Sequence, residues 1–121
     1  VSYAFKITTG TGAPAAAQVP GTAYTQLAGV VAAATKQAST FFLKLWWEGA
    51  QVPPAGSPSG PTVGTTPASM VIPIPVGGIA LTLPQPANNG GPLWYWVSAN
   101  AVDSDTTALT TGGDVVNLIL Q

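Results

Sequence analysis

The run Met70-Val71-Ile72-Pro73-Ile74-Pro75-Val76 sets the narrowest limit on what this chain can become. Its residues are apolar and largely β-branched, which favours strand. Its two prolines lack an N–H and bar helix. Prolines at alternate positions leave one side of a strand unable to pair, so the run reads as an edge strand or a strand end. Gly64 and Pro67 punctuate the lead-in that begins at Pro61, and the pair Gly77-Gly78 closes the segment. An edge strand requires a sheet, and the rest of the chain must supply its partners.

Residues 1–8 alternate, with Val1, Tyr3, Phe5 and Ile7 on one face and Ser2, Ala4, Lys6 and Thr8 on the other. That is the pattern of a half-buried strand. Residues 26–35 and 40–48 are expected as two strands of a hairpin joined around Lys36-Gln37-Ala38-Ser39. Ala32-Ala33-Ala34 favours helix locally, but Val30-Val31 and a β-rich partner override it. In the second strand Phe41, Leu43, Leu45 and Trp47 share one face, and Phe42, Lys44, Trp46 and Glu48 the other. Both faces carry bulk, so burial on two sides is expected.

Residues 79–83 give a short alternating strand, and 84–92 a turn region around Asn88-Asn89-Gly90-Gly91. Residues 93–99 form an aromatic strand, with Leu93, Tyr95 and Val97 opposed to Trp94, Trp96 and Ser98. Residues 100–113 read as a polar connection with a brief extended piece near Ala108-Leu109, and 115–120 as a closing strand. Strands at this spacing, divided by Gly/Pro turns and with no convincing helix, predict an all-β chain. The expectation is one domain over residues 1–121, a single antiparallel β-sandwich of jelly-roll or Ig-like type with about seven to eight strands and long Pro/Gly loops. Segments 9–21 and 50–62 show no core-forming pattern and are expected as extended loops or arms.

Charge narrows the function. Of 121 residues only 6% are charged, against 46% hydrophobic, and the net charge is −1. Lys6, Lys36 and Lys44 are scattered and there is no Arg, so the basic patch that nucleic acid requires is missing. No apolar run approaches the ~20 residues of a membrane helix. With no His and no Cys, general-base and thiol chemistry lose their usual carriers. The carboxylates are Glu48, Asp103, Asp105 and Asp114, and nothing in their spacing supports a glycosidase pair. The chain is therefore read as non-enzymatic and without a cofactor. A surface this neutral protects a free monomer poorly against association, which fits a protein packed among other subunits. The chain opens on Val1, which is compatible with a processed start.

Two constellations carry alternatives. Asp103-Ser104-Asp105 offers alternate oxygens to a hard cation, but the glycine and the distal acid of a calcium loop are missing. The other reading is a turn in which the Asp side chains accept from nearby backbone N–H groups. Trp46, Trp47, Trp94 and Trp96 form either a sugar-stacking platform or, with few hydrogen-bonding side chains beside them, core and subunit interface. The residues expected at a partner interface are Trp46, Trp94 and Trp96, with the loop and edge prolines Pro53, Pro54, Pro58, Pro61, Pro73 and Pro75. Such prolines reduce the entropy lost when a loop is fixed on a partner.

Phe42-Leu43-Lys44-Leu45, then Pro61-Thr62-Val63-Gly64-Thr65, then Val71-Ile72-Pro73-Ile74-Pro75-Val76-Gly77-Gly78 resemble a recurrent pattern in small tailed-bacteriophage virion proteins. Ala101-Val102-Asp103-Ser104-Asp105-Thr106-Thr107-Ala108 and Asp114-Val115-Val116-Asn117-Leu118 fit the same pattern in order. The likeness covers roughly residues 29–120. The 50–60 loop is longer than that family's, and the aromatic 93–97 strand replaces a plainer one. The resemblance implies a virion structural protein of decoration or cement type, located on the particle and partnered by the major capsid protein or other virion proteins. It carries no catalytic residues. A homo-oligomer is expected, with a trimer matching the threefold positions of capsid lattices. The alternative is an adhesive or carbohydrate-binding module associated with a tail or neck fibre.

Overall fold

The computed structural model describes residues 3–19, 26–47, 61–87 and 92–121. Among them are eight strands and no helix: β1 (Tyr3–Thr8), β2 (Ala17–Gln18), β3 (Leu27–Ala33), β4 (Phe41–Trp47), β5 (Met70–Ile74), β6 (Ile79–Ala87), β7 (Leu93–Ser98) and β8 (Val115–Leu120). They form two four-stranded antiparallel sheets, ordered β1-β8-β3-β6 and β2-β7-β4-β5. The first half of the chain pairs with the second in nested fashion: β4 with β5, β3 with β6, β2 with β7 and β1 with β8. The long ribbon so made is rolled, bringing β3 against β8 and β4 against β7. This is the strand order of a jelly roll, one of the two sandwich types that the strand spacing predicts.

Rolling explains the main departure from expectation. Residues 26–35 and 40–48 are not hairpin partners; β3 and β4 lie in opposite sheets, each in a central position. Lys36-Gln37-Ala38-Ser39 is a crossover between layers. Two adjacent alternating runs look alike whether they pair with each other or face each other across a core, because the period-2 pattern is the same. The crossover is pinned at its start. Lys36 N–H donates to the Asp114 carboxylate (3.2 and 3.3 Å), and Gln37 Nε2 donates to Thr111 O (2.7 Å).

The main core lies between the sheets and includes Val30, Leu43, Leu45, Ile72, Ile74, Leu93, Val116 and Leu118. Val19 belongs to it and is fully buried, although it comes from the 9–21 segment. A strand of two residues is too short to show periodicity, which is why β2 escapes a sequence reading. The 79–83 strand continues through Pro84 and Pro86 to Ala87, so the turn expected over 84–92 starts later. Its pairing with β3 slips between Gly29↔Thr82 and Leu27↔Ala87, and both prolines fall within the slip. No strand forms at Ala108-Leu109, but Leu109 is buried in the core. Pro53, Pro54 and Pro58, Glu48, and the 88–91 turn lie outside the described residues.

The proline-rich run forms the edge strand it promises. β5 is outermost in its sheet, and Pro73 stands opposite Phe42 with its ring exposed. Beyond it Gly78 N–H donates to Pro75 O (3.0 Å) and Gly77 sits at φ 94°. That is a type II turn with the glycine in its third place. Gly78, at φ 107°, passes so close to β3 that a Cβ there would collide with the Ala32 carbonyl oxygen. Gly77→Ala meets open space and should cost about 1–2 kcal/mol, for its backbone conformation alone. Gly78→Ala adds displacement of β3 and should cost more than Gly77→Ala by at least ~1 kcal/mol. Denaturant midpoints of the two variants check the ranking.

Candidate functional site

β4 is central in its sheet and carries bulk on both sides, so its outer face needs cover as much as its inner one. Cross-strand register places Trp46 beside Trp94, Lys44 beside Trp96 and Phe42 beside Ser98 on that outer face. Residues 61–69 and 100–107 lie over it as a strap. Trp46 and Trp94 pack with Val63, and Ala16, Ala68 and Trp96 complete this second cluster. Both faces of the 40–48 strand are thus buried over its described residues, as its aromatic content predicts. The indole N–H of Trp46 donates to Thr66 O (3.0 Å), fixing the strap between Val63 and Ala68, both packed in this cluster. The indole N–H of Trp94 is buried with no acceptor among the described residues, and nothing in the structure accounts for it.

Lys44 is the residue that sequence reasoning passed over. It is 1% exposed, and its Nζ donates to Val102 O (2.7 Å) and Asp105 O (3.4 Å). The same ammonium stands 6.0 Å from the Trp96 ring centroid, within cation–π range. A buried ammonium needs acceptors, and here it gathers two carbonyls of one loop and holds that loop to the sheet. The sequence carries a signal for its burial only: a single lysine between Phe42 and Trp46 on one strand face has an aromatic neighbourhood to enter, but nothing there marks its carbonyl acceptors.

The strap's carboxylates serve the same end. Asp105 accepts from Ser98 Oγ (2.7 Å) and Thr107 N–H (3.2 Å) at one oxygen, and from Thr107 Oγ1 (2.8 Å) and Asn100 Nδ2 (3.2 Å) at the other. Asp103 Oδ1 accepts from Ala68 N–H (3.0 Å), joining the two halves of the strap. Of the two readings of Asp103-Ser104-Asp105, these hydrogen bonds realise the turn. Partial withdrawal from water pushes the Asp105 carboxyl up, but the donors from Ser98, Thr107 and Asn100 outweigh it and hold it at about 2, below the ordinary 3.8.

The residues expected at an interface are dispersed. Trp46 and Trp94 lie under the chain's own strap, and Trp47 belongs to the main core. Trp96 is half-buried, as is Pro61, while Pro73 and Pro75 are exposed along the β5 edge. A sugar cannot stack on Trp46 or Trp94 unless the strap moves away. Among the described residues no group of three or more His, Cys, Asp or Glu is placed to hold a metal.

Among the described residues nothing covers the other sheet. Its outer face presents Ala4, Lys6, Thr8, Val31, Ala33, Ala80 and Thr82, all exposed, around a row of Val115, Asn117 and Ile119. Val31 near its centre is 47% exposed. The face is flat, built of small residues, and carries one charge, Lys6. Compared with protein-family models, with curated proteins and with solved structures, the chain has no match. In space four of the sequence segments singled out above meet: residues 42–45 form the middle of β4, 71–78 run through β5 beside it, and 61–65 and 101–108 belong to the strap above it.

Trp46→Ala should cost about 3–5 kcal/mol, since it empties the second cluster and orphans Thr66 O. Denaturant unfolding measures the loss, and amide exchange should rise over residues 61–69. For Asp105 the sign follows from a folded pKa below the unfolded one. Its contribution is complete above pH ~4 and is lost as the pH falls through about 2. Asp105→Asn should flatten that acid limb in a series of denaturant midpoints against pH, and a limb of unchanged steepness would refute the assignment.

Proposed function

We propose that this chain is a non-enzymatic structural protein of a bacteriophage particle, a decoration or cement protein that binds the outer surface of the capsid and stabilises the shell. The observation that carries the reading is the bare, nearly uncharged outer face of the β1-β8-β3-β6 sheet. Ala, Thr and Val side chains on a flat sheet approach a partner closely and lose little rotamer entropy when covered. A single lysine leaves little charge to desolvate. With a net charge of −1, neighbouring copies repel one another weakly, as crowding on a shell requires. The phage-like motifs and the exposed prolines Pro73 and Pro75 point the same way.

Jelly rolls serve in viral shells and also in lectins and cupins, so the fold is compatible with the reading and does not select it. The partner in this proposal is the major capsid protein or another virion protein, and the chain acts as a homo-oligomer, a trimer being the state that threefold lattice positions favour. Weak contacts repeated in one oligomer hold through high effective concentration. A fibre-associated carbohydrate-binding module is the second reading, and burial of Trp46 and Trp94 counts against its aromatic platform.

Copy number and position on purified particles test the proposal. A decoration protein should appear at regular capsomer positions over the whole shell. Val31→Glu, at the middle of the bare face, should lower its occupancy at least ~10-fold while leaving the isolated protein folded. Localisation to a vertex or tail tip, or full occupancy by the Val31 variant, would refute it.

A further inference from the structure

The two sheets have four edges, and three are closed to further strands. β2 offers two residues, β5 carries Pro73, and β6 carries Pro84 and Pro86 where its pairing slips. β1 is different. It runs six residues, contains no proline and, among the described residues, pairs on one side only, with β8. The side on which each backbone group points follows from its end: Thr9 N–H donates to Asp114 O (2.8 Å), toward β8. Alternation then turns Ile7 and Phe5 toward β8 and leaves the N–H and C=O groups of Ala4, Lys6 and Thr8 pointing outward. The side chains of these three residues are exposed as well.

A cleft of about 200 Å³ opens beside the C-terminal half of this strand. Ile7, Thr9, Ala13, Tyr95, Trp96 and Val97 are among its walls, and no charged side chain lines it. Phe5 meets Tyr95 at 5.6 Å between ring centroids, so the strand and the cleft wall are held together. An edge with outward-pointing hydrogen-bonding groups beside an uncharged recess walled in part by Ile7, Tyr95 and Val97 has the two parts of strand-addition recognition: main-chain bonds for affinity and a side-chain pocket for specificity.

We propose that the outer edge of β1 is a docking site for an extended segment of another polypeptide, which adds to the sheet as a fifth strand. The segment places an acidic residue opposite Lys6 and an apolar side chain in the cleft. Lys6 has no ion-pair partner among the described residues, so its charge is open to a cross-strand mate. The same charge disfavours a second copy of β1 as occupant, because antiparallel pairing centred on Lys6 sets lysine against lysine. This site does not depend on the virion reading, since any polypeptide with that pattern fits it.

The test uses capped peptides of about seven residues alternating valine and threonine, with one glutamate moved through each position. Amide shifts are followed on the whole, isotope-labelled protein. Binding should shift the amides of Ala4, Lys6 and Thr8 together with the Trp96 indole, and replacing glutamate by lysine should weaken it about fivefold. Lys6→Pro removes an outward donor without touching the β8 ladder, so it should fold normally and lose binding. Lys6→Glu alters no backbone group and should reverse the preference to the lysine peptide, which keeps the test decisive if the proline variant fails to fold. No shift along β1 with any peptide, shifts in the cleft alone, or an unchanged preference in Lys6→Glu would overturn the proposal. A dimer of the free protein that Lys6→Pro dissolves would assign the edge to a second copy and overturn the proposed occupant.

Discussion

Burial of β4 on both faces is the constraint from which the rest of the architecture follows. Phe41, Leu43 and Leu45 need an opposing sheet, and the β1-β8-β3-β6 layer supplies it. Trp46 and Lys44, on the other side of the same strand, need a second cover, which the chain must find outside its sheets. Residues 61–69 and 100–107 provide it, tied down by the Lys44 ammonium, the Trp46 indole and the carboxylates of Asp103 and Asp105. Three of the chain's few charges thus hold the strap, and of these only Lys44 is buried.

The two outer faces are consequently unlike. One sheet is closed by the chain's own loops, and the other stands open with small neutral side chains. The edges are unequal in the same way, three being shortened or blocked by proline and one left, among the described residues, with its outward backbone groups unpaired. A molecule built to remain alone has reason to protect an open edge and a bare face. Here both lie on one sheet, with β1 belonging to each, which concentrates the capacity for association on one side of the sandwich.

Much of this was legible in the residues. The proline run 70–76 announced an edge strand because a missing N–H leaves no other place in a sheet, and the aromatics of 41–47 announced burial on two sides because neither face was polar enough for water. The opposition of Trp94 and Trp96 to Leu93, Tyr95 and Val97 followed from period-2 alternation and is the observed arrangement. Partnership was not legible. The 26–35 and 40–48 runs carry no mark saying whether they pair or face each other, since that depends on β8 and β6, far along the chain. The role of Lys44 depended likewise on Val102 and Asp105, about sixty residues away, whose carbonyls no side-chain pattern reveals. Pro84 and Pro86 misled because a slipped edge strand accepts what a regular ladder refuses.

The nested pairing has a consequence in time. Tyr3 lies opposite Leu120, so the outermost pair closes a loop of 117 residues (120 − 3), while the β4–β5 pair is the innermost. As the chain leaves the ribosome, β1, β2 and β3 emerge long before β8, β7 and β6 exist to receive them. Their apolar faces stay open until β8 has been made, and a topology of such distant contacts closes slowly. With hardly a charge along those early strands to keep nascent chains apart, the interval before closure is when this protein is most exposed to wrong partners. The speed with which residues 79–120 arrive then matters as much to its yield as the stability of the finished roll.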